Sequence, residues 1–330
     1  MEGESTLVKK RIGSPIHNVY LYNFAVGKDA HGQPIIAAVL NGRPARLVVL
    51  NLETHKQIMS APLPGAQGAM RLTIADDGQI YVGTFDNGTV YCCDPVEESV
   101  IEIGCFGDSF LYGLEVTDNE IFVGGFPNCS AAVVDRQSHK LKDQFVVDKT
   151  QRYLRFIKKV GSVLYLGVGV LPRLYAFDLE TRELTAFSLG DMENYSGSVV
   201  KIEMFGDYCV ALVDQQNKVV LINPKAPEHK HILDGYSQFA VHNDNLYLFN
   251  SHGTYVYNSE TASVGLLTRG FSHRQREIVA EKIEGSDVFL TLSAAGVLSI
   301  YNLNRGSVSD VDLNLPGQDT IIQCLFASPA

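Results

Sequence analysis

Short apolar runs alternate with polar turns along the whole chain, and the runs share a shape. IYVGT, IFVGG, LYLGV, CVALV, LYLFN and VFLTL are rich in Val, Ile, Leu, Tyr and Phe, and are bounded by DDG, DNG, GD and NDN turns. Such runs with Gly, Asn and Asp between them predict antiparallel hairpins. No segment of a dozen residues carries the three-and-four spacing of an amphipathic helix. The pattern is clearest in three consecutive copies, RLTIADDGQIYVGTFDNGTVYCCDPVEESVIEIG, GLEVTDNEIFVGGFPNCSAAVVDRQSHKLKDQF and RFIKKVGSVLYLGVGVLPRLYAFDLETRELTAFSL. Each reads as four strands, the third closed by Asp or Asn.

That closing residue falls at Asn51, Asp94, Asp135, Asp178, Asn223, Asn258 and Asn302, in steps of 43, 41, 43, 45, 35 and 44 residues. Seven units of four short strands predict an all-β, seven-bladed β-propeller of antiparallel blades filling 1–330 as a single domain, or as a fragment of a longer chain. A blade cannot bury both faces alone, so the ring must close. IIQCLFASPA resembles the first strand of a further unit and STLVKKRIG an outermost strand, which predicts a partial eighth blade or a strand-swapped closure. The first unit differs by a polar insertion, VGKDAHGQP. Small residues in VGT, VGG and LGVG fit the inner part of a blade, where neighbouring sheets converge.

The elements DDGQIYVGTFDNGTVYCCDP and FDLETRELTAF resemble repeats of bacterial propellers of the YVTN, quinoprotein-like and kelch-like superfamily, over nearly the whole chain. The resemblance implies a blade and fixes no activity. There is no Trp, so the WD dipeptide and the quinoprotein Trp-docking motif are missing, and only Gly124-Gly125 imitates the kelch glycine doublet. No quinone or other cofactor is expected.

Charge narrows the partners. Lys and Arg total 27 against 37 Asp and Glu, a formal net charge of −10, the wrong sign for gripping a phosphate backbone or an anionic membrane. No run approaches the roughly 18 apolar residues of a membrane-spanning helix, and MEGESTLVKK lacks the apolar stretch of a signal peptide. The expected location is cytoplasmic, or secreted with the leader absent. Six cysteines lack CxxC pairing or clustering with His, so no metal site is expected. Adjacent Cys92 and Cys93 in an alternating run predict one buried thiol and one facing out.

In a propeller, the connections between blades and the hairpins between second and third strands share one face. On the expected register they gather Arg71, Tyr112, Arg152, Tyr153, Arg155, Arg173, Tyr195, Tyr236, His252, His273 and Arg274 near one rim, with Asp108 and Arg276 beside them. Tyrosine stacks while donating a hydrogen bond, and Arg holds a carboxylate in a bidentate fork. The expected function is therefore a binding or scaffold module for a glycan or other anionic or hydroxylated ligand, with an oligosaccharide or another protein as partner. The alternative is a carbohydrate-active enzyme. A polysaccharide lyase would use His252 or His273 with Tyr153 or Tyr236 as base, and Arg155 or Arg173 on the carboxylate. A glycoside hydrolase would pair two of Asp86, Asp108, Glu193 and Asp214. No GxSxG, GxGxxG or P-loop is present.

Overall fold

The computed structural model describes residues 17–18, 23–242, 244–269, 279–282, 288–292, 297–302, 307–313, 315 and 318–319. After β1 (His17–Asn18), the strands form seven four-stranded antiparallel sheets in sequence order. Blade 1 is β2 (Phe24–Lys28), β3 (Pro34–Leu40), β4 (Ala45–Asn51) and β5 (Gln57–Leu63). Blade 2 is β6 (Gly68–Ile74), β7 (Ile80–Phe85), β8 (Thr89–Asp94) and β9 (Ser99–Cys105). Blade 3 is β10 (Phe110–Val116), β11 (Glu120–Phe126), β12 (Ser130–Asp135) and β13 (Leu141–Val146). Blade 4 is β14 (Tyr153–Val160), β15 (Val163–Val170), β16 (Arg173–Asp178) and β17 (Leu184–Phe187), followed by a 3-10 turn at Gly190–Asn194. Blade 5 is β18 (Gly197–Phe205), β19 (Tyr208–Val213), β20 (Lys218–Asn223) and β21 (Ala226–Asp234). Blade 6 is β22 (Gln238–His242), β23 (Asn245–Asn250), β24 (Gly253–Asn258) and β25 (Ser263–Arg269). Blade 7 is β26 (Val279–Lys282), β27 (Val288–Leu292), β28 (Val297–Asn302) and β29 (Ser307–Asp312), and β30 (Gln318–Asp319) pairs antiparallel with β1.

The first strands of successive blades lie side by side around an axial channel, and β26 neighbours β2, so the ring closes. Phe24, Ile36, Leu40 and Leu50 of blade 1 pack with Leu290, Leu298, Leu313 and Leu315 at the far end of the chain. The segments IIQCLFASPA and STLVKKRIG lie outside the described residues; the β1–β30 pair is where the two ends meet.

Strand alternation sends neighbouring side chains into different seams. Ile80, Val82, Tyr91 and Cys93 face blade 1, while Tyr81, Val90 and Cys92 face blade 3. Cys92 and Cys93 are therefore both buried, contrary to the expectation that one faces out, because a blade covers each face of β8. Fourth strands such as β13, β17 and β21 carry exposed solvent faces. The recurring Asp or Asn ends every third strand. In six blades its side-chain oxygen accepts backbone N–H groups two or three residues on, as with Glu180 and Thr181 on Asp178.

The inner glycines of the repeat admit the next blade. A Cβ on Gly83 would meet Leu111 Cβ at 3.1 Å, and one on Gly167 would meet the carbonyl oxygen of Val199 at 2.4 Å. One on Gly124 would meet Leu154 Cδ2 at 2.3 Å, so blades 3, 4 and 5, which carry Tyr112, Arg155 and Ser198, approach one another closely.

Candidate functional site

Connections between blades and second-to-third-strand hairpins are tied together at one end of the ring. The N–H of Ser109 donates to the Phe126 carbonyl, that of Cys129 to Arg152, and that of Asp214 to Ser198. At this end the first strands of blades 2 to 5 each carry one extra residue, a β-bulge at Met70, Tyr112, Arg155 and Val200. Such a bulge leaves one residue out of the ladder and re-aims its side chain.

Two of these bulges meet in a cleft of about 450 Å³ lined by Tyr112, Tyr153, Arg155, Val170, Ser196, Ser198, Asp214 and Gln215. The Arg155 guanidinium lies 4.1 Å from the Tyr112 ring centroid and 6.0 Å from that of Tyr153. Its Nη2 is 3.9 Å from Asp214 Oδ2, and its buried Nε has no hydrogen-bond partner among the described residues. Asp214 Oδ1 is fixed by the Ser198 N–H at 2.6 Å. Burial raises the Asp214 carboxyl above its ordinary value, with the Ser198 N–H and Arg155 pulling the other way. Burial likewise raises Tyr112, against the pull of Arg155. An aromatic floor supports the cleft: Tyr153 stacks on Phe126 at 4.6 Å and meets Tyr112 edge-on at 5.7 Å, and Phe110 links Tyr112 to Phe85. Arg152, exposed, covers the Phe126 ring at 4.6 Å.

The structure thus brings Tyr112, Tyr153 and Arg155 together, with Arg152 alongside. The other expected residues sit elsewhere. Arg71 is the fourth residue of β6 and lines the axial channel, its guanidinium 4.5 Å from the Phe156 ring centroid. Arg173 donates to the carbonyls of Pro172 and Glu193 and pairs with Glu193 Oε2 at 3.5 Å, which clamps the 3-10 turn. Tyr195 follows that turn and is 64% exposed, and does not line the cleft. Tyr236 packs edge-on against Tyr255 in the seam between blades 5 and 6, while His252 is exposed in the β23–β24 hairpin. His273, Arg274 and Arg276 lie outside the described residues.

Of the four carboxylates considered, Asp86 accepts from Gln67, Asp108 from the Asn128 N–H and the Ser130 hydroxyl, and Glu193 from the Leu189 N–H. Only Asp214 of the four lines the cleft. Ser196, Ser198 and Gln215 escaped sequence reasoning; their membership in the MENYSGSV connection and the QQNK hairpin was the available signal. Among the described residues no group of three metal-ligating side chains occurs.

Neither the protein-family models nor the curated protein sequences give a match. Among solved structures, the fold is similar to a catalytically inactive variant of virginiamycin B lyase from Staphylococcus aureus, solved with quinupristin. That pair shares 14% identity at a TM-score of 0.68, over 87% of this chain and 96% of the other. It is similar also to the computationally designed Ika8 protein, with 12% identity and a TM-score of 0.63 over 91% and 89% of the two chains. At these identities the likeness shows the propeller fold.

Proposed function

We propose that this propeller is a binding module, and that the cleft between blades 3, 4 and 5 seats a hydroxylated ligand bearing a carboxylate, such as a uronate-containing oligosaccharide. One observation carries the reading. Arg155 lies over the Tyr112 ring with its nearest carboxylate oxygen at 3.9 Å and a side chain 25% exposed, so the guanidinium is positioned without being claimed by a tight ion pair and can meet an incoming carboxylate. Tyr153 and Val170 offer a surface for a sugar ring, and Ser196, Ser198 and Gln215 offer hydroxyl and amide partners.

Elimination chemistry fits less well. It needs a base beside the carbon next to an Arg-held carboxylate, and of the described candidates His252 and Tyr236 lie off the cleft, leaving Tyr153 there without an imidazole beside it. The virginiamycin B lyase named above is a lyase by its own description, and at 14% identity that name supports no activity here.

Calorimetric titration with neutral and uronate-containing oligosaccharides tests the proposal. Uronate oligomers bind, and Arg155→Gln weakens them about tenfold or more while leaving neutral sugars little changed. Failure of every oligosaccharide to bind the wild type at millimolar concentration would overturn it. Ultraviolet absorbance of a conjugated uronate appearing during the titration would instead favour the lyase.

A further inference from the structure

A second cavity, of about 410 Å³, lies in the axial channel itself, lined by first-strand residues from blades 1 to 6. Its described lining carries Arg71, Lys158 and Lys201 against Glu115 and Glu203. These charges are not equally engaged. Lys158 Nζ donates to Glu115 Oε1 at 2.9 Å across blades 3 and 4, and Glu115 Oε1 also accepts the Lys159 N–H at 3.4 Å. Lys201 pairs with Glu203 at 3.1 Å, and the other Glu203 oxygen accepts the Val241 N–H. The Arg71 guanidinium makes no hydrogen bond or ion pair with the described residues and lies over the Phe156 ring, 4.5 Å from its centroid.

The described lining therefore holds two matched pairs and one cation left over, in a chain whose net charge is −10. Field lines in a narrow, low-dielectric channel concentrate that charge. A guanidinium stacked on one face keeps its N–H edge open, the geometry that takes a carboxylate or phosphate oxygen pair. Thr73 adds a hydroxyl, while Ala25, Ile74 and Met204 limit how polar the occupant can be.

We propose that the axial channel is a separate binding site for a small anion carrying a compact oxyanion group, carboxylate or phosphate, held by Arg71 on its Phe156 platform. The site shares no lining residue with the cleft, so it stands or falls independently of the function proposed above.

The test is thermal shift and calorimetry in chloride-free buffer, with acetate and inorganic phosphate as separate probes, on wild type, Arg71→Gln, Arg71→Lys and Arg155→Gln. Millimolar acetate or phosphate raises the melting temperature of the wild type and of Arg155→Gln, and Arg71→Gln loses about tenfold or more in affinity. Which probe binds tighter distinguishes the two sources of the oxyanion. If Arg71→Gln fails to fold, Arg71→Lys decides: it keeps the charge without the fork, and a several-fold loss for the better probe supports the site. Equal affinity in wild type and the Arg71 variants, no response of the wild type to either probe, or loss of binding in Arg155→Gln alone overturns it.

Discussion

Tyr112 and Arg155 occupy equivalent bulge positions on adjacent blades, and the guanidinium of one rests 4.1 Å from the ring centroid of the other. Each bulge takes its residue out of the ladder, so two side chains that would have pointed along their own sheets meet across a seam. The consequence is an arginine positioned by an aromatic face rather than by a tight ion pair, since Asp214 stands at 3.9 Å.

If the ring positions the guanidinium, removing the ring matters even where the charge survives. Tyr112→Leu should lower affinity for a uronate oligosaccharide about 3- to 10-fold, the worth of a partly desolvated cation–π contact. Arg155→Lys should cost more, about tenfold, because an ammonium cannot form the planar fork. Calorimetry on the two variants checks the order, and an Arg155→Lys protein that binds as the wild type does would remove the fork from the account.

The propeller was legible because its marker is chemical. Asn51, Asp94, Asp135, Asp178, Asn223, Asn258 and Asn302 end the third strands, and in the first six blades the short side-chain oxygen caps the same turn. The cleft was legible only in part. Loop membership suffices to place Tyr112, Tyr153 and Arg155 near one rim, but a bulge leaves no mark in an apolar pattern. Arg71 shows the cost: it follows the bulge at Met70, lies within β6 and faces the channel. Tyr236 and Arg173 looked equally available in sequence, yet one packs against Tyr255 and the other is spent on the Glu193 turn. Such competition depends on partners distant in the chain.

Asp214 gives the fold a definite pH dependence. Burial lifts its carboxyl above the ordinary 3.8, so the folded chain holds this proton more tightly than the unfolded one. The stabilisation is complete below about 3.8 and is lost as pH rises through the folded value. Asp214→Asn, whose side-chain oxygen can still accept the Ser198 N–H, should melt higher than the wild type at neutral pH, and the difference should vanish in acid. Melting curves of both proteins across that range check the sign; a variant less stable at neutral pH would mean that the Arg155 contact outweighs burial.

Blades 2 and 3 are pinned by a polar tie as well as by packing. Arg136, with a side chain 11% exposed, donates to the Tyr81 hydroxyl at 2.8 Å, the Thr117 carbonyl at 3.2 Å and Asp77 at 2.5 Å. Burial pushes the Tyr81 hydroxyl up to about 12, with Arg136 opposing. Arg136→Ala leaves a buried phenol and a carbonyl without this donor, and should destabilise by about 2–3 kcal/mol in denaturant unfolding. Tyr81→Phe removes one hydrogen bond and should cost about 1 kcal/mol. Equal losses from the two variants would place the tie in the hydroxyl alone.

The inner glycines make the sharpest stability test, because two positions differ in what surrounds them. At Gly167 a methyl group would stand 2.4 Å from the Val199 carbonyl oxygen and 2.8 Å from Val199 Cγ1, and backbone of the next blade cannot turn aside as a long side chain can. At Gly265, on the outer strand of blade 6, nothing lies within 4 Å. Gly167→Ala should therefore lose about 1–3 kcal/mol or more, the cost of overpacking a closed seam. Gly265→Ala should be neutral or slightly stabilising through the unfolded chain. Since Val199 adjoins Ser198, whose N–H orients Asp214, the first variant should also weaken oligosaccharide binding, whereas the second should leave it unchanged. A Gly167→Ala protein as stable as its Gly265→Ala counterpart would mean that the fourth and fifth blades do not approach this closely.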